Sequence, residues 1–351
     1  MSPTPGETPG AERGARDDRA SPRGPLWDAI VGQERALALL RGAVDRETIA
    51  HAYAFVGPPG VGRRLSALGF AQACLCPRRG CGVCSACRRV AAGHHPDCQV
   101  LVPTPPKDNP RGLPTLRIAE VRELMHRAAL APLEGPRKVF ILDDADRMTL
   151  PTAQALLKTL EEPPPRTLLM LIIANPRALP PTVLSRCQLV RFRPLDVGDV
   201  AGLLGARGAD EETAGLLARL SRGQVGLVAN ADLKELRERR AAALELLGVP
   251  APGLVTRLDE LGPDRATVAA CLETYAFWYR DALCLAAGGP PTLLVNVDRR
   301  EELAALAQRA SVAGLVRAWA VIKDAWLALE GNLNPRLALE HALLVLGREA
   351  A

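Results

Sequence analysis

Aromatic residues are scarce in this 351-residue chain: Phe, Trp and Tyr together make up 3% of it. Binding single-stranded nucleic acid by stacking needs a row of aromatic faces, so the scarcity argues against a base-stacking protein. No Lys/Arg-dense run is present either, and 44 basic against 39 acidic residues leave a net charge of only +5. Any contact with nucleic acid is therefore expected through a local patch rather than a basic tail. Long apolar runs are also missing, since none reaches the roughly 18 to 20 uncharged residues that cross a bilayer. The first residues lack the apolar centre of a secretory signal, and the expectation is a cytoplasmic protein. There is no internal repeat.

Hydrophobic residues at 48% and charged residues at 24% are the balance of an ordinary globular chain. At this length it should hold two or three domains. Residues 1–24 are rich in Pro, Gly, Ser and mixed charge without apolar periodicity, and are expected to form a disordered tail. From Trp27 to Pro194, short apolar runs alternate with helical patterns, as in a parallel sheet covered by helices on both faces. The clearest strands are Ala54 to Val56, Val139 to Leu142 and Leu168 to Ile173. After Pro194 apolar residues recur at helical spacing, and Gly/Pro punctuation from Gly248 to Pro252 divides this helical remainder in two. In the last part, Trp319, Ile322, Trp326 and Leu329 are spaced to share one helix face, which suits an internal core and a helical oligomerisation bundle equally well.

The strand ending at Val56 runs into Gly57-Pro58-Pro59-Gly60-Val61-Gly62-Arg63-Arg64 and then a helical pattern. This is the order of a phosphate-binding P-loop, with backbone N–H groups turned inward at Gly57, Gly60 and Gly62. Arg63 stands where Lys normally reaches the terminal phosphates. Arg64 stands where Ser or Thr ligates magnesium, and it brings a positive charge in place of an oxygen. About 80 residues on, Val139-Phe140-Ile141-Leu142-Asp143-Asp144 is an apolar strand ending in two carboxylates. Asp143 is placed to hold metal, but Asp144 is one methylene shorter than the Glu that usually polarises the attacking water. A misplacement on the order of 1 Å can cost about 100-fold in rate. The frame of an ATPase is present with its chemistry weakened, and nucleotide binding at these residues is doubtful.

Five of the nine cysteines lie between Cys74 and Cys87. Cys76, Cys81, Cys84 and Cys87 supply four thiolates from a Gly/Pro/Arg-rich stretch with little apolar content, which suits one closed, tetrahedral, structural zinc. Cys74 competes with Cys76 for the first ligand position, Cys98 is a spare, and His94 and His95 read as loop residues.

The succession Val31-Gly32-Gln33, His51 to Pro58, the cysteine insertion, Ala155-Leu156-Leu157-Lys158-Thr159-Leu160-Glu161-Glu162-Pro163-Pro164 and Leu184-Ser185-Arg186-Cys187 resembles the AAA+ clamp-loader subunits of bacterial DNA polymerase, of the gamma/tau and delta-prime type. Asn332 to Glu340 also resembles the end of their collar domain. The resemblance implies an α/β AAA+ domain over 25–195 carrying a zinc module over 74–98, a small helical lid over 196–249 and an all-α collar over 250–351. It implies that Arg186 is an arginine finger reaching into the ATP site of an adjacent subunit. Where related motor subunits carry sensor residues, this chain reads Ile172-Ile173-Ala174-Asn175 and Gly223-Gln224-Val225-Gly226. A degenerate P-loop with the finger retained is the delta-prime arrangement: a non-hydrolysing part of a polymerase holoenzyme. Its expected partners are gamma/tau- and delta-type subunits and, through the complex, the sliding clamp and primer-template DNA. The alternative is an active gamma/tau-like motor.

Overall fold

The computed structural model describes residues 25–106, 112–228, 233–331 and 333–349. The expected tail over 1–24, and Asn332, lie outside the described residues.

Five strands, β1 (Ala52–Val56), β2 (Cys98–Leu101), β3 (Lys138–Leu142), β4 (Thr167–Ile173) and β5 (Gln188–Arg191), form one parallel sheet in the order β2-β3-β4-β1-β5. The three expected strands are its inner members. Successive side chains point to opposite faces, and each inner strand is apolar on both. Tyr53, Phe55, Val139, Ile141, Leu168, Met170 and Ile172 enter one core cluster, whereas Ala52, Ala54, Phe140, Leu142, Leu169, Leu171 and Ile173 enter another. Fully burying a large side chain of this kind contributes about 1.5–3 kcal/mol. β2 and β5 are the four-residue edges. With one neighbour each they need no continuous apolar run, so their sequence signal is faint.

Helices α1 (Glu34–Asp45), α2 (Arg63–Leu75), α3 (Ser85–Ala91), α4 (Ile118–Ala128), α5 (Leu150–Glu161) and α6 (Pro181–Leu184) belong to this body. Then follow α7 (Val197–Gly205), α8 (Glu211–Ser221), α9 (Val225–Val228), α10 (Leu233–Leu247), α11 (Ala251–Leu261), α12 (Arg265–Ala286), α13 (Arg300–Arg309), α14 (Val312–Glu330) and α15 (Pro335–Glu349). No strand follows Arg191 among the described residues. Val200 and Leu204 of α7, Ala214, Leu217 and Ala218 of α8 and Val228 of α9 share a cluster with one face of the sheet. Ala243 and Leu246 of α10 pack instead with α11 to α15, so the apolar cores divide before the Gly248 to Pro252 punctuation rather than at it.

The four residues expected to share a face of α14 lie on one side of it but differ in burial. Ile322 and Leu329 are buried, Trp326 is partly buried and Trp319 is 46% exposed. At 100° per residue, Leu315, Ala318, Ile322, Ala325 and Leu329 form the inward stripe. Trp319 falls about 80° to the side of that stripe and joins Val312, Val316 and Leu327 on an exposed flank.

Candidate functional site

β1, β3 and β4 lie side by side, and their C-terminal ends bring together three loops that are far apart in sequence. This is where open parallel sheets bind ligands. After β1, Gly57 passes so near β5 that a Cβ would stand 2.6 Å from the Phe192 carbonyl oxygen. Gly60 and Gly62 take left-handed φ values of +74° and +95°, and Gly62 caps α2. The amide of Gly226, at the start of α9, donates to the Gly60 carbonyl at 2.9 Å, and a Cβ on Gly226 would sit 2.7 Å from the Gly60 Cα. The loop is therefore pressed backbone to backbone against the Gln224–Gly226 segment.

Arg63, the first residue of α2, is 5% exposed, and its Nη1 has no hydrogen-bond partner among the described residues. Burial holds its pKa below the ordinary arginine value, opposed by the charges of Asp144, Asp146 and Asp143. Arg64 points to the carboxylates, and its Nη1 donates to Asp143 Oδ2 at 2.8 Å. A guanidinium thus occupies the acid offered for metal. Asp144 is held at φ +43°, 3.7 Å from Arg147, and burial together with the Asp143 charge raises its pKa. Asp146 accepts the amides of Ala174 and Asn175 at 3.0 and 3.1 Å. The carboxylates that follow β3 are thus engaged by this chain's own groups.

The four cysteines of the insertion converge. Sγ of Cys76 lies 3.7 Å from that of Cys81 and 3.6 Å from that of Cys84, and all four ligand atoms, Cys87 included, fall within 4.8 Å of one another. Sulfurs about 2.3 Å from a tetrahedral zinc stand about 3.8 Å apart, so the cluster can hold a metal ion of that kind. Backbone amides of Val83 and Cys84 lower the Cys81 thiol to about 6, closer to the thiolate a metal requires. Cys84 caps α3 by accepting the Cys87 amide. Cys74 lies apart in the apolar core, where burial pushes its thiol up to about 12, and Cys98 is likewise buried and raised. Buried His95 accepts the Asp97 amide at Nδ1. The module is fixed to the body by Gln72 of α2, which donates to the Cys87 carbonyl at 2.9 Å, and by the Arg89–Glu134 ion pair.

Arg186 follows α6 at the exposed side of the body. All three side chains of Ser185-Arg186-Cys187 turn back onto that short helix: Ser185 Oγ and Arg186 Nη1 donate to the Thr182 carbonyl at 3.1 and 3.0 Å, and Cys187 Sγ to that of Val183. Arg186 Nη2 also lies 2.8 Å from Oε1 of Glu161, a partner that sequence reasoning missed because 25 residues separate the two. Arg186, expected as a finger, is thus engaged by groups of its own chain.

Residues 32–196 match the family model described as "DNA polymerase III, delta subunit", and residues 263–347 the one described as "DNA polymerase III, delta subunit, C terminal". DNA polymerase III subunit delta' of Bacillus subtilis is 28% identical over 324 residues, 90% of this chain and 96% of that protein. The subunit of the same name from Pseudomonas aeruginosa is 42% identical over 142 residues, 39% of this chain and 42% of that protein. DNA polymerase III subunit tau of Bacillus subtilis is 31% identical over 180 residues, 50% of this chain and 30% of that protein.

Proposed function

This chain belongs to the DNA polymerase III delta' family of clamp-loader subunits, and from that premise we propose that it is a non-hydrolysing subunit that supplies an arginine finger to a neighbour's ATP site. The observation that carries this reading is the 2.8 Å contact of Arg64 with Asp143. Hydrolysis of a nucleoside triphosphate needs magnesium to neutralise the phosphates, and a hydroxyl and a carboxylate to hold it. Here the hydroxyl is replaced by a guanidinium that sits on the carboxylate. The short, left-handed Asp144 and the Gly226 contact on the P-loop support the same reading.

Arg186 supplies what its own site cannot use. It is half-exposed at the surface of the body, and an arginine delivered across a subunit boundary stabilises charge on the transferred phosphoryl group, an effect worth ~10³- to 10⁵-fold in related chemistry. In this proposal residues 25–195 form the AAA+ domain, 196–249 the lid and 250–351 the collar that assembles with gamma/tau- and delta-type subunits. The assembled complex acts on the sliding clamp and primed DNA. Cys76, Cys81, Cys84 and Cys87 hold a structural zinc, which supplies folding energy to the module and leaves no position open for catalysis.

The test is steady-state ATPase and clamp loading by complexes reconstituted with Arg186→Ala at verified stoichiometry. The expected result is normal assembly with slower DNA-stimulated hydrolysis, and only a partial fall, since one site loses its finger while others keep theirs. Wild-type rates in a fully assembled variant complex would remove the finger role from Arg186.

A further inference from the structure

The two segments that carry the family resemblance most specifically, residues 155–164 and 184–187, meet at one ion pair, Glu161 with Arg186. We propose that Glu161 is the positioning residue of the arginine finger, holding the Arg186 guanidinium so that its remaining donors face a neighbouring subunit. The inference rests on the reading of Arg186 as that finger.

The place of Glu161 is set by where α5 stops. Pro163 and Pro164 cannot continue a helix, and the residue before a proline is driven out of helical conformation. Glu162 accordingly leaves the helix at φ −121°, ψ 73°, and Glu161 is the last helical residue. Its carboxylate stands at the negative end of the helix, where a cation is favoured. Leu156 and Leu160 of α5 and Val183 of α6 are buried in one cluster, so the two helix ends are fixed relative to each other by apolar packing. The ion pair is superimposed on that frame.

A guanidinium has five N–H donors in a rigid plane. Nη1 donates to the Thr182 carbonyl, and Nη2 stands 2.8 Å from Glu161 Oε1 as an ion pair. Two anchors of different origin fix the plane and leave other donors for phosphate. A long arginine side chain loses considerable rotamer freedom when it is presented in one orientation, and these contacts meet that cost before any partner arrives. A purely structural role is a weak alternative: the Glu161 and Arg186 side chains are 50% and 36% exposed, and exposed pairs contribute little to folding.

Reconstituted complexes containing Arg186→Ala, Glu161→Gln, Glu161→Asp and the double variant Glu161→Gln/Arg186→Ala test the proposal through kcat and KM for ATP on primed DNA. Glu161→Gln is expected to lower the Arg186-dependent part of kcat by about two- to five-fold, the scale of one exposed ion pair. The KM for ATP and the melting temperature should stay unchanged, because ATP is bound by the neighbour. The double variant should match Arg186→Ala, and Glu161→Asp should recover part of the loss. If Arg186→Ala slows the complex while Glu161→Gln runs at the wild-type rate or faster, the finger stands and the positioning role falls. A double variant slower than Arg186→Ala overturns it too, since Glu161 would then act by another route. If Arg186→Ala itself has no effect, the failure lies in the finger reading.

Discussion

A guanidinium and a magnesium ion both neutralise a carboxylate, but only the metal can gather phosphate oxygens around itself in a fixed octahedron. The Arg64–Asp143 contact therefore satisfies the charge of Asp143 without providing the chemistry that charge normally serves. Arg64→Thr returns a hydroxyl and frees the carboxylate. Its effect on stability should be small, within about 1 kcal/mol, because the Arg64 side chain is 56% exposed and water screens the pair. Even combined with Arg63→Lys, the isolated chain is expected to show no magnesium-dependent turnover. Asp144 remains short and left-handed, and the Gly226 amide still engages the P-loop. Hydrolysis approaching ~1 s⁻¹, the low end for phosphoryl-transfer kinases, would contradict this. The Arg63 and Arg64 replacements were legible in the sequence as departures from a motif. The Asp143 contact was not, because 79 residues separate its members.

At the scale of elements, apolar periodicity identified the buried strands and the helical C-terminal half, while the strand edges escaped it. β5 buries only Val190 among four residues, so its pattern could not be distinguished from a loop. The α14 stripe shows the opposite error: residues three and four apart do share a side of a helix, yet their spacing does not say which neighbour covers that side. Ile322 and Leu329 face the core, whereas Trp319 stands with Val312, Val316 and Leu327 on a flank left exposed. If the C-terminal helices assemble with other subunits, this flank is where a substitution separates assembly from folding. Trp319→Glu should move the melting temperature of the isolated chain little, as substitutions at exposed positions usually stay within about 0.5 kcal/mol. It should also reduce co-purification with the other clamp-loader subunits. Full co-purification would place the interface elsewhere, and a large loss of stability would mean that Trp319 belongs to the core.

Across the whole molecule, apolar packing forms two bodies. Residues up to Val228 join both faces of the sheet with α7 to α9, and residues from Ala243 onward form a separate helical core. The contacts between them include the Arg222–Glu273 ion pair, with the Arg222 guanidinium 4.3 Å from the Phe277 ring centre. Two thermal transitions are therefore expected. Because the cysteine cluster is tied to α2 through Gln72, removing metal with a chelator, or Cys84→Ser, should lower the first and leave the second unchanged. Metal binding can supply ~10–16 kcal/mol to a small zinc module, so the effect should be plain in calorimetry alongside zinc analysis of the untreated protein. A single transition that ignores chelator would refute both the division and the metal.

The seam between Gly60 and Gly226 bears on how such a chain can diverge. Either residue, given a methyl group, would push into the other's backbone, and Gly57 is confined in the same way by Phe192. These glycines are thus required by neighbours within the fold, independently of any phosphate. A lineage can then lose the lysine and the hydroxyl of a nucleotide loop while steric selection preserves its glycine spacing. The loop would keep the outline of the motif whether or not a phosphate binds there.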